Sequence, residues 1–438
     1  GLLRNTDVLV HQGRIKAVGR DLDPVAVLAV KRMPRVREVD ATGMHLTAGI
    51  VDEHSHIAIS RGVNEGTQSI TAEVRIGDVI DPDDVDIYRH LAGGVTAVQL
   101  LHGSANPIGG QSAIIKLRWG QEASAMKVED APGFIKFALG ENVKRSSWGG
   151  SDRFPRTRMG VEQVMFDGFH RARTYKEELT TWQGQRRPTT GKRMPQRKSV
   201  PAPRRDLELE ALAEILEGER FITCHSYVQS EIAMLLRVAD SMGFRVNTFT
   251  HILEGYKVAD RLQRHGASAS TFSDWWAYKF EVNEAIPYNA ALLWGQGVNT
   301  GINSDDAEMG RRLNQEAAKT IKYGSVPPEE AWKMVTLNPA RMLHLDHRMG
   351  SVRPGMDADL VLWSADPLTM DARAMMTVVD GMVLFEREDD AQRREVVRTE
   401  RERIIAKMLL AKQAGAPTEA PERKEKGHWH CESIGERP

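Results

Sequence analysis

The sequence predicts an α/β protein: a (β/α)8 TIM-like barrel joined to a small β-sandwich made from both chain ends. Three observations carry this. The middle of the chain alternates apolar strands with helices. The two ends instead show polar–apolar alternation around glycine turns. And 438 residues suffice for one large domain with an accessory module.

At the N-terminus, Asp7-Val-Leu-Val-His-Gln-Gly-Arg-Ile-Lys-Ala-Val-Gly19 alternates around a Gln-Gly turn and reads as a β-hairpin. Similar β-rich runs return at 355–363 and 377–385. Residues 1–46 and 348–388 are therefore expected to form one composite domain, leaving 47–347 for the barrel. Within it a helix over 87–91 ends at Gly93-Gly94, before a strand over 95–101. Asp206 can cap a helix reaching 216 that stops at Gly218, followed by a strand over 221–224. A helix over 229–242, a strand over 244–249 and a helix over 256–265 come next. Strands over 267–272 and 298–303 complete the set. Repeated units of this kind indicate a parallel sheet covered on both faces, and over roughly 300 residues a closed barrel.

Two stretches interrupt the pattern. Residues 183–205 are rich in Arg, Lys, Pro and Thr with no acidic residue, and read as a long basic loop, a solvated insertion rather than a recognition segment. From 389 the chain is strongly charged, which suits a helix followed by a disordered tail. The tail's His428-Trp-His-Cys431 is metal-binding in composition, but its charged setting makes it a weak site.

Bulk composition narrows the partners. A formal net charge of -1 gives no electrostatic case for nucleic acid or a membrane surface. No apolar run approaches the roughly 20 residues of a bilayer-spanning helix. Cys224 and Cys431 cannot build a disulfide framework, and they leave cytoplasm and periplasm equally open.

Chemistry concentrates at strand ends. In Gly49-Ile-Val-Asp-Glu-His-Ser-His56, residues two apart on a strand share a face, so His54 and His56 point the same way. Such a pair alone is as readily two surface or core histidines. Downstream, His225 ends the strand Phe221-Ile-Thr-Cys-His, His251 ends Phe244-Arg-Val-Asn-Thr-Phe-Thr-His, and Asp305 ends Val298-Asn-Thr-Gly-Ile-Asn-Ser-Asp. Packing does not require three potential ligands at the C-terminal ends of three strands, the face where barrels keep their active sites. Cys224 beside His225 is no nucleophile–base pair, because adjacent strand residues face opposite sides.

With these motifs the chain resembles the amidohydrolase superfamily. Leu46-Thr-Ala-Gly-Ile-Val-Asp-Glu-His-Ser-His56 is similar to its first-strand signature, with Ala48 where Pro is common. Thr336-Leu-Asn-Pro-Ala-Arg341 and Gly350-Ser-Val-Arg-Pro-Gly-Met-Asp-Ala-Asp-Leu-Val361 resemble its C-terminal signatures. The likeness spans about residues 7–387 and is nearest to the imidazolonepropionase-like branch, especially a bacterial group sharing His-Gly-Ser-Ala-Asn-Pro-Ile-Gly-Gly-Gln and Asn-Ser-Asp-Asp-Ala-Glu. Relative to that family the N-terminus is one sandwich strand short.

The resemblance implies that His54, His56, His225, His251 and Asp305 bind one or two divalent ions. It also implies that Lys136, in the apolar strand Gly133-Phe-Ile-Lys-Phe-Ala-Leu139, bridges the pair as a carbamate. A neutral buried amine can form one with carbon dioxide; the alternative is a lysine snorkelling to the rim. Nitrogen and oxygen ligands suit zinc, with iron or manganese as alternatives. The implied reaction is hydrolysis of a carbon–nitrogen bond in an amide, cyclic amide or dipeptide-like molecule, with Asp305 as general base and acid. An ester, lactone or amidine could use the same site, and a non-catalytic assembly role is disfavoured by the intact ligand set. His102, Asn106 and Gln111, in a polar glycine-containing loop, are candidate substrate contacts. So are Tyr227, Trp275 and Lys279, the last for a substrate carboxylate. Asp306 and Glu308 are expected to orient ligands. The expected partner is a small molecule, in a homo-oligomer.

Overall fold

The structure, a computed structural model, describes residues 1–32, 35–60, 62–144, 152–186, 201–275 and 278–419. At the N-terminus β1 (Asp7–His11) and β2 (Arg14–Gly19) form the expected hairpin. Gln12 and Gly13 between them have φ of 51° and 73°, the left-handed pair that a two-residue hairpin turn demands.

β3 (His45–Ala48) leads through Gly49 into β4 (Ile50–Ser55), and β5 (Val95–Leu100) pairs with β4 in parallel. Both β4 and β5 are buried along their whole length, as strands covered on two faces must be. Then come β6 (Ile108–Gln111), β7 (Ala113–Lys116) and β8 (Gly133–Ala138), followed by β9 (Arg220–Ser226), β10 (Val246–His251), β11 (Ser268–Thr271) and β12 (Thr300–Ile302). β8 to β12 are parallel neighbours in chain order, with helices between them.

The barrel strands are not one closed ladder. They form a six-stranded sheet ordered β12-β11-β10-β9-β8-β6 and a three-stranded sheet ordered β4-β5-β7. The expected uniform ring fails where the chain turns back at Ser112: β6 runs antiparallel to β8, and β7 antiparallel to β5. Backbone hydrogen bonds span the gaps. Ser112 N donates to Phe134 O at 3.0 Å on one side, and Asp305 N donates to His54 O at 3.1 Å on the other. The latter places the first and last barrel strands side by side.

Helix boundaries follow their caps. Asp206 accepts from Leu209 N at 3.1 Å to start the helix Leu207–Glu217, and Gly218 (φ 76°) ends it. The helix Gln229–Met242 stops at Gly243 in the same way. The expected helix over 256–265 divides into a 3-10 turn, Gly255–Lys257, and the helix Ala259–His265, because Val258 between them is non-helical at φ -127°. The basic segment begins later than expected: the helix Arg158–Arg186 runs into it, and residues 187–200 lie outside the described residues. Helix Arg387–Gln413 matches the expected charged helix. Residues 420–438, with the His428 to Cys431 tract, lie outside the described residues. No helix among the described residues is long and apolar enough to cross a membrane.

Both chain ends meet. β13 (Leu360–Trp363), β14 (Ala374–Val379) and β15 (Met382–Glu386) form an antiparallel sheet to which β3 adds as the fourth strand. Ile15 of the hairpin packs with Met356, Ala358 and Leu360 in a core of its own, and Ile15 N donates to Met356 O at 2.9 Å. At the junction with the barrel, the fully buried Lys116 reaches Asp357 at 2.7 Å and Asp359 at 2.9 Å, and also pairs with Asp380. Arg14, Arg348 and Arg118 surround the same carboxylates.

Candidate metal centre

Six side chains expected from the sequence converge at the C-terminal ends of the barrel strands. β4 delivers His54, and His56 follows it. Lys136 lies inside β8, His225 near the end of β9, His251 at the end of β10, and Asp305 just past β12. His54 Nε2 is 3.3 Å from His56 Nε2, 3.0 Å from Lys136 Nζ and 3.2 Å from Asp305 Oδ1. His56 Nε2 is 3.1 Å from that same oxygen. His251 Nε2 stands 3.9 Å from Asp305 Oδ2, and the His225 ring is 4.9 Å from the His251 ring. The arrangement therefore has a tight group of His54, His56 and Asp305, with Lys136 against it, and a second tier of His251 and His225.

All of this is buried: His54, His225 and His251 have no exposure, Lys136 1% and Asp305 3%. Burial first, then neighbouring cations, holds the histidines below their ordinary value; His54 and His225 lie well below it, and His251 is pushed down to about 3. They are thus neutral and offer lone pairs. For Asp305 burial works upward, but His251, His54 and His56 outweigh it and hold the carboxyl well below the usual range.

The chemistry of the donors fits a divalent cation. Both ring nitrogens of His225 and both of His251 are buried with no hydrogen-bond partner among the described residues. Buried polar atoms are rarely orphaned without a reason, and a cluster of imidazole, carboxylate and amine groups supplies one. The backbone agrees: His251 (φ 66°) and Asp305 (φ 55°) both sit in the left-handed region, strain of a kind that clusters at functional sites.

A second carboxylate cluster, Asp357, Asp359 and Asp380, has the spacing of a cation site. Its cation is already present in the chain, as the Lys116 ammonium.

The candidate substrate residues divide into two groups. Tyr227, Trp275 and Lys279 border the histidines. Tyr227 is fully buried, its ring 4.6 Å from that of His225, and its hydroxyl accepts from Tyr278 at 3.0 Å. Lys279 Nζ lies 4.1 Å from the Tyr227 ring centre and pairs with Glu281 at 2.8 Å. Trp275 stacks on Phe272 at 4.2 Å, which itself stacks on His251 at 4.7 Å. The loop residues are engaged within the protein. His102 Nδ1 lies 2.7 Å from Gly103 O, and its Nε2 accepts from Gly110 N. Asn106 donates to Glu65 O and Thr71 Oγ1 at 2.6 and 2.7 Å, and Gln111 donates to Ala72 O at 2.9 Å.

Asp306 does not reach the ligands; it caps the short helix Ala307–Gly310, while exposed Glu308 pairs with Arg311. Other residues support the ligands from beneath. The buried Asp52, raised to about 7 by burial, accepts from His54 N at 3.3 Å and Ser304 N at 3.2 Å, tying β4 to the turn that carries Asp305. Glu53 and Thr250 form a second contact below His54. Sequence reasoning missed all four, although Asp52 stands two residues before His54 on the same strand.

Comparison with known proteins supplies independent information. Residues 287–428, which include Asp305, match the Amidohydrolase family. Amidohydrolase tasK of Hapsidospora irregularis is 30% identical over 403 residues, covering 87% of this chain. An amidohydrolase structure from Thermotoga maritima superposes with a TM-score of 0.75 at 31% identity, covering 87% of this chain and 95% of that one. Imidazolonepropionase of Thermoplasma volcanium is 31% identical over 129 residues, 29% of this chain and 31% of that protein. The chain spans 40% of the length of the Hapsidospora protein.

Proposed function

Because the chain belongs to the amidohydrolase superfamily, with a TIM-barrel-like α/β fold, we propose that it is a metal-dependent hydrolase of carbon–nitrogen bonds acting on a small amide, cyclic amide or dipeptide-like molecule. The single observation that carries this reading is the set of orphaned ring nitrogens of His225 and His251 beside the His54–His56–Asp305 group.

In this reading His54, His56 and Asp305 hold one ion, zinc in preference to iron or manganese. His225 and His251 hold a second if Lys136 carries a bridging carbamate; without it one ion is expected. A divalent ion there would supply Lewis acidity, polarising the scissile carbonyl and making a water nucleophilic near neutral pH. The chain's own residues do the rest. Asp305, ionised and fixed between two histidines, accepts the proton of the attacking water and returns it to the leaving nitrogen. Tyr227 offers a hydroxyl beside the cluster to orient the carbonyl. Lys279 supplies a cation for a substrate carboxylate, and Trp275 with Phe272 forms an apolar wall. His102, Asn106 and Gln111 are the substrate contacts of the loop after β5, each also hydrogen-bonded within the protein.

Residues 1–46 with 348–388 form the composite β-sandwich in this reading, 47–347 the catalytic barrel, and the protein works as a homo-oligomer. The test is hydrolysis by the zinc- or manganese-loaded protein of a panel of N-acyl amino acids, dipeptides and cyclic amides. Turnover that falls about 10²- to 10⁴-fold in Asp305→Asn supports the assignment. An equally active Asp305→Asn protein would remove Asp305 from the chemistry. Esters, lactones and amidines in the same panel test the alternative bond.

A further inference from the structure

We infer that Thr250 and Glu53 form a positioning relay that fixes the tautomer and ring orientation of His54, so that its Nε2 lone pair faces the metal centre. The inference rests on the reading of His54 as a metal ligand.

His54 Nδ1 lies 3.1 Å from Thr250 Oγ1, and Thr250 Oγ1 lies 3.3 Å from Glu53 Oε2. His54 and Thr250 have no exposure and Glu53 has 1%, so bulk water cannot substitute for these partners. The opposite edge of the same ring points Nε2 at His56, Lys136 and Asp305. A neutral imidazole carries one ring hydrogen. On Nε2 it would block metal binding; on Nδ1 it leaves the lone pair in place.

What decides between the two tautomers is the partner of Nδ1. For His56 the answer is simple: its Nδ1 lies 2.6 Å from Leu101 O, a carbonyl that can only accept. His54 has a threonine hydroxyl there instead, and a hydroxyl can either donate or accept. Alone, Thr250 would tolerate both tautomers. Glu53 removes the ambiguity. Its Oε2 draws the hydroxyl hydrogen, so Thr250 must accept from His54, and the chain runs His54 N–H to Thr250 O–H to Glu53. Carboxylates commonly hold metal-binding histidines directly; here a hydroxyl is interposed. Thr250 also directly precedes His251 on β10, so one residue couples a ligand of the tight group to the second tier.

The experiment measures zinc affinity of the metal-stripped full chain by competition with a chromophoric chelator, for wild type, Thr250→Val, Thr250→Ser, Glu53→Met and His54→Ala. The relay predicts about 10- to 100-fold weaker binding for Thr250→Val, the range seen when such supporting partners are removed. Thr250→Ser, which restores the hydroxyl, should bind within about threefold of wild type. A merely structural role would not separate valine from serine in this way. Glu53→Met should weaken binding about 3- to 10-fold, and it carries the test if the valine variant does not fold. Unchanged affinity in Thr250→Val or Glu53→Met, with zinc lost in His54→Ala, overturns the relay and leaves the ligand assignment standing. Unchanged affinity in His54→Ala overturns both.

Discussion

Replacing Lys116 with Met should destabilise the protein by about 3 kcal/mol, near the low end of the roughly 3–5 kcal/mol expected when one partner of a buried ion pair is removed. Methionine preserves most of the side-chain volume, so the loss reports charge rather than a cavity. The structure sets the magnitude. Asp357 keeps Arg14 at 2.7 Å and Arg348 at 3.2 Å, and Asp380 keeps Arg118 at 2.7 Å. Among the described residues Asp359 keeps only the backbone N–H of Asp380, at 2.9 Å, and becomes the uncompensated charge. For 438 residues the unfolding entropy is about 0.9 kcal/mol/K if the chain melts as one unit, so Tm should fall by about 3 °C.

The pH dependence gives a second readout. In the wild type, burial acts to lower the Lys116 pKa, but Asp359, Asp380 and Asp357 outweigh it and raise it. A raised lysine contributes stability that is complete below its unfolded value and disappears as pH rises through the folded one, so the contribution persists at neutral pH. Burial also raises the Asp359 carboxyl. In Lys116→Met that carboxyl can take a proton as pH falls, so the stability gap to wild type should narrow between pH 7 and pH 4. Thermal unfolding followed by circular dichroism checks both. A Tm within about 1 °C of wild type at pH 7 and pH 4 alike would show that the Lys116 ammonium does not stabilise the buried carboxylates.

Lys136→Ala should reduce bound metal from two ions per chain to one or fewer, measured by plasma emission after dialysis; undiminished binuclear occupancy would exclude the bridge. Lys279→Met should raise KM for carboxylate-bearing substrates about tenfold or more while moving kcat little, since it acts on binding. The kinetic constants for a neutral cyclic amide should be unaffected, and an equal effect on both substrates would contradict the role assigned to Lys279.

Much of this architecture was legible in the sequence because local signals there are strong. Asp206 and Gly218 mark a helix by cap chemistry alone, and the Gln12-Gly13 hairpin follows from its turn. His225, His251 and Asp305 stand out because a polar side chain at the end of an apolar strand needs a purpose. What stayed hidden depends on distant partners. Nothing local marks Lys116, because its carboxylates Asp357 and Asp380 lie 241 and 264 residues away. His102 reads as a substrate contact, and its bond from Gly110 N appears only once the loop has folded back. β7, Ala-Ile-Ile-Lys, has the apolar composition of a parallel strand, and β6, Ile-Gly-Gly-Gln, reads as loop, so neither carried a signal of its antiparallel direction. The split of 256–265 turns on the backbone of one residue, Val258, which no composition rule singles out.

Metal content tests the site most directly. Elemental analysis of the purified chain, reloaded with zinc or manganese and dialysed, should find at least one tightly held ion per chain, lost in His54→Ala and in Asp305→Ala. Less than one ion per chain in the wild-type protein, or a full complement retained in both variants, would contradict the metal centre.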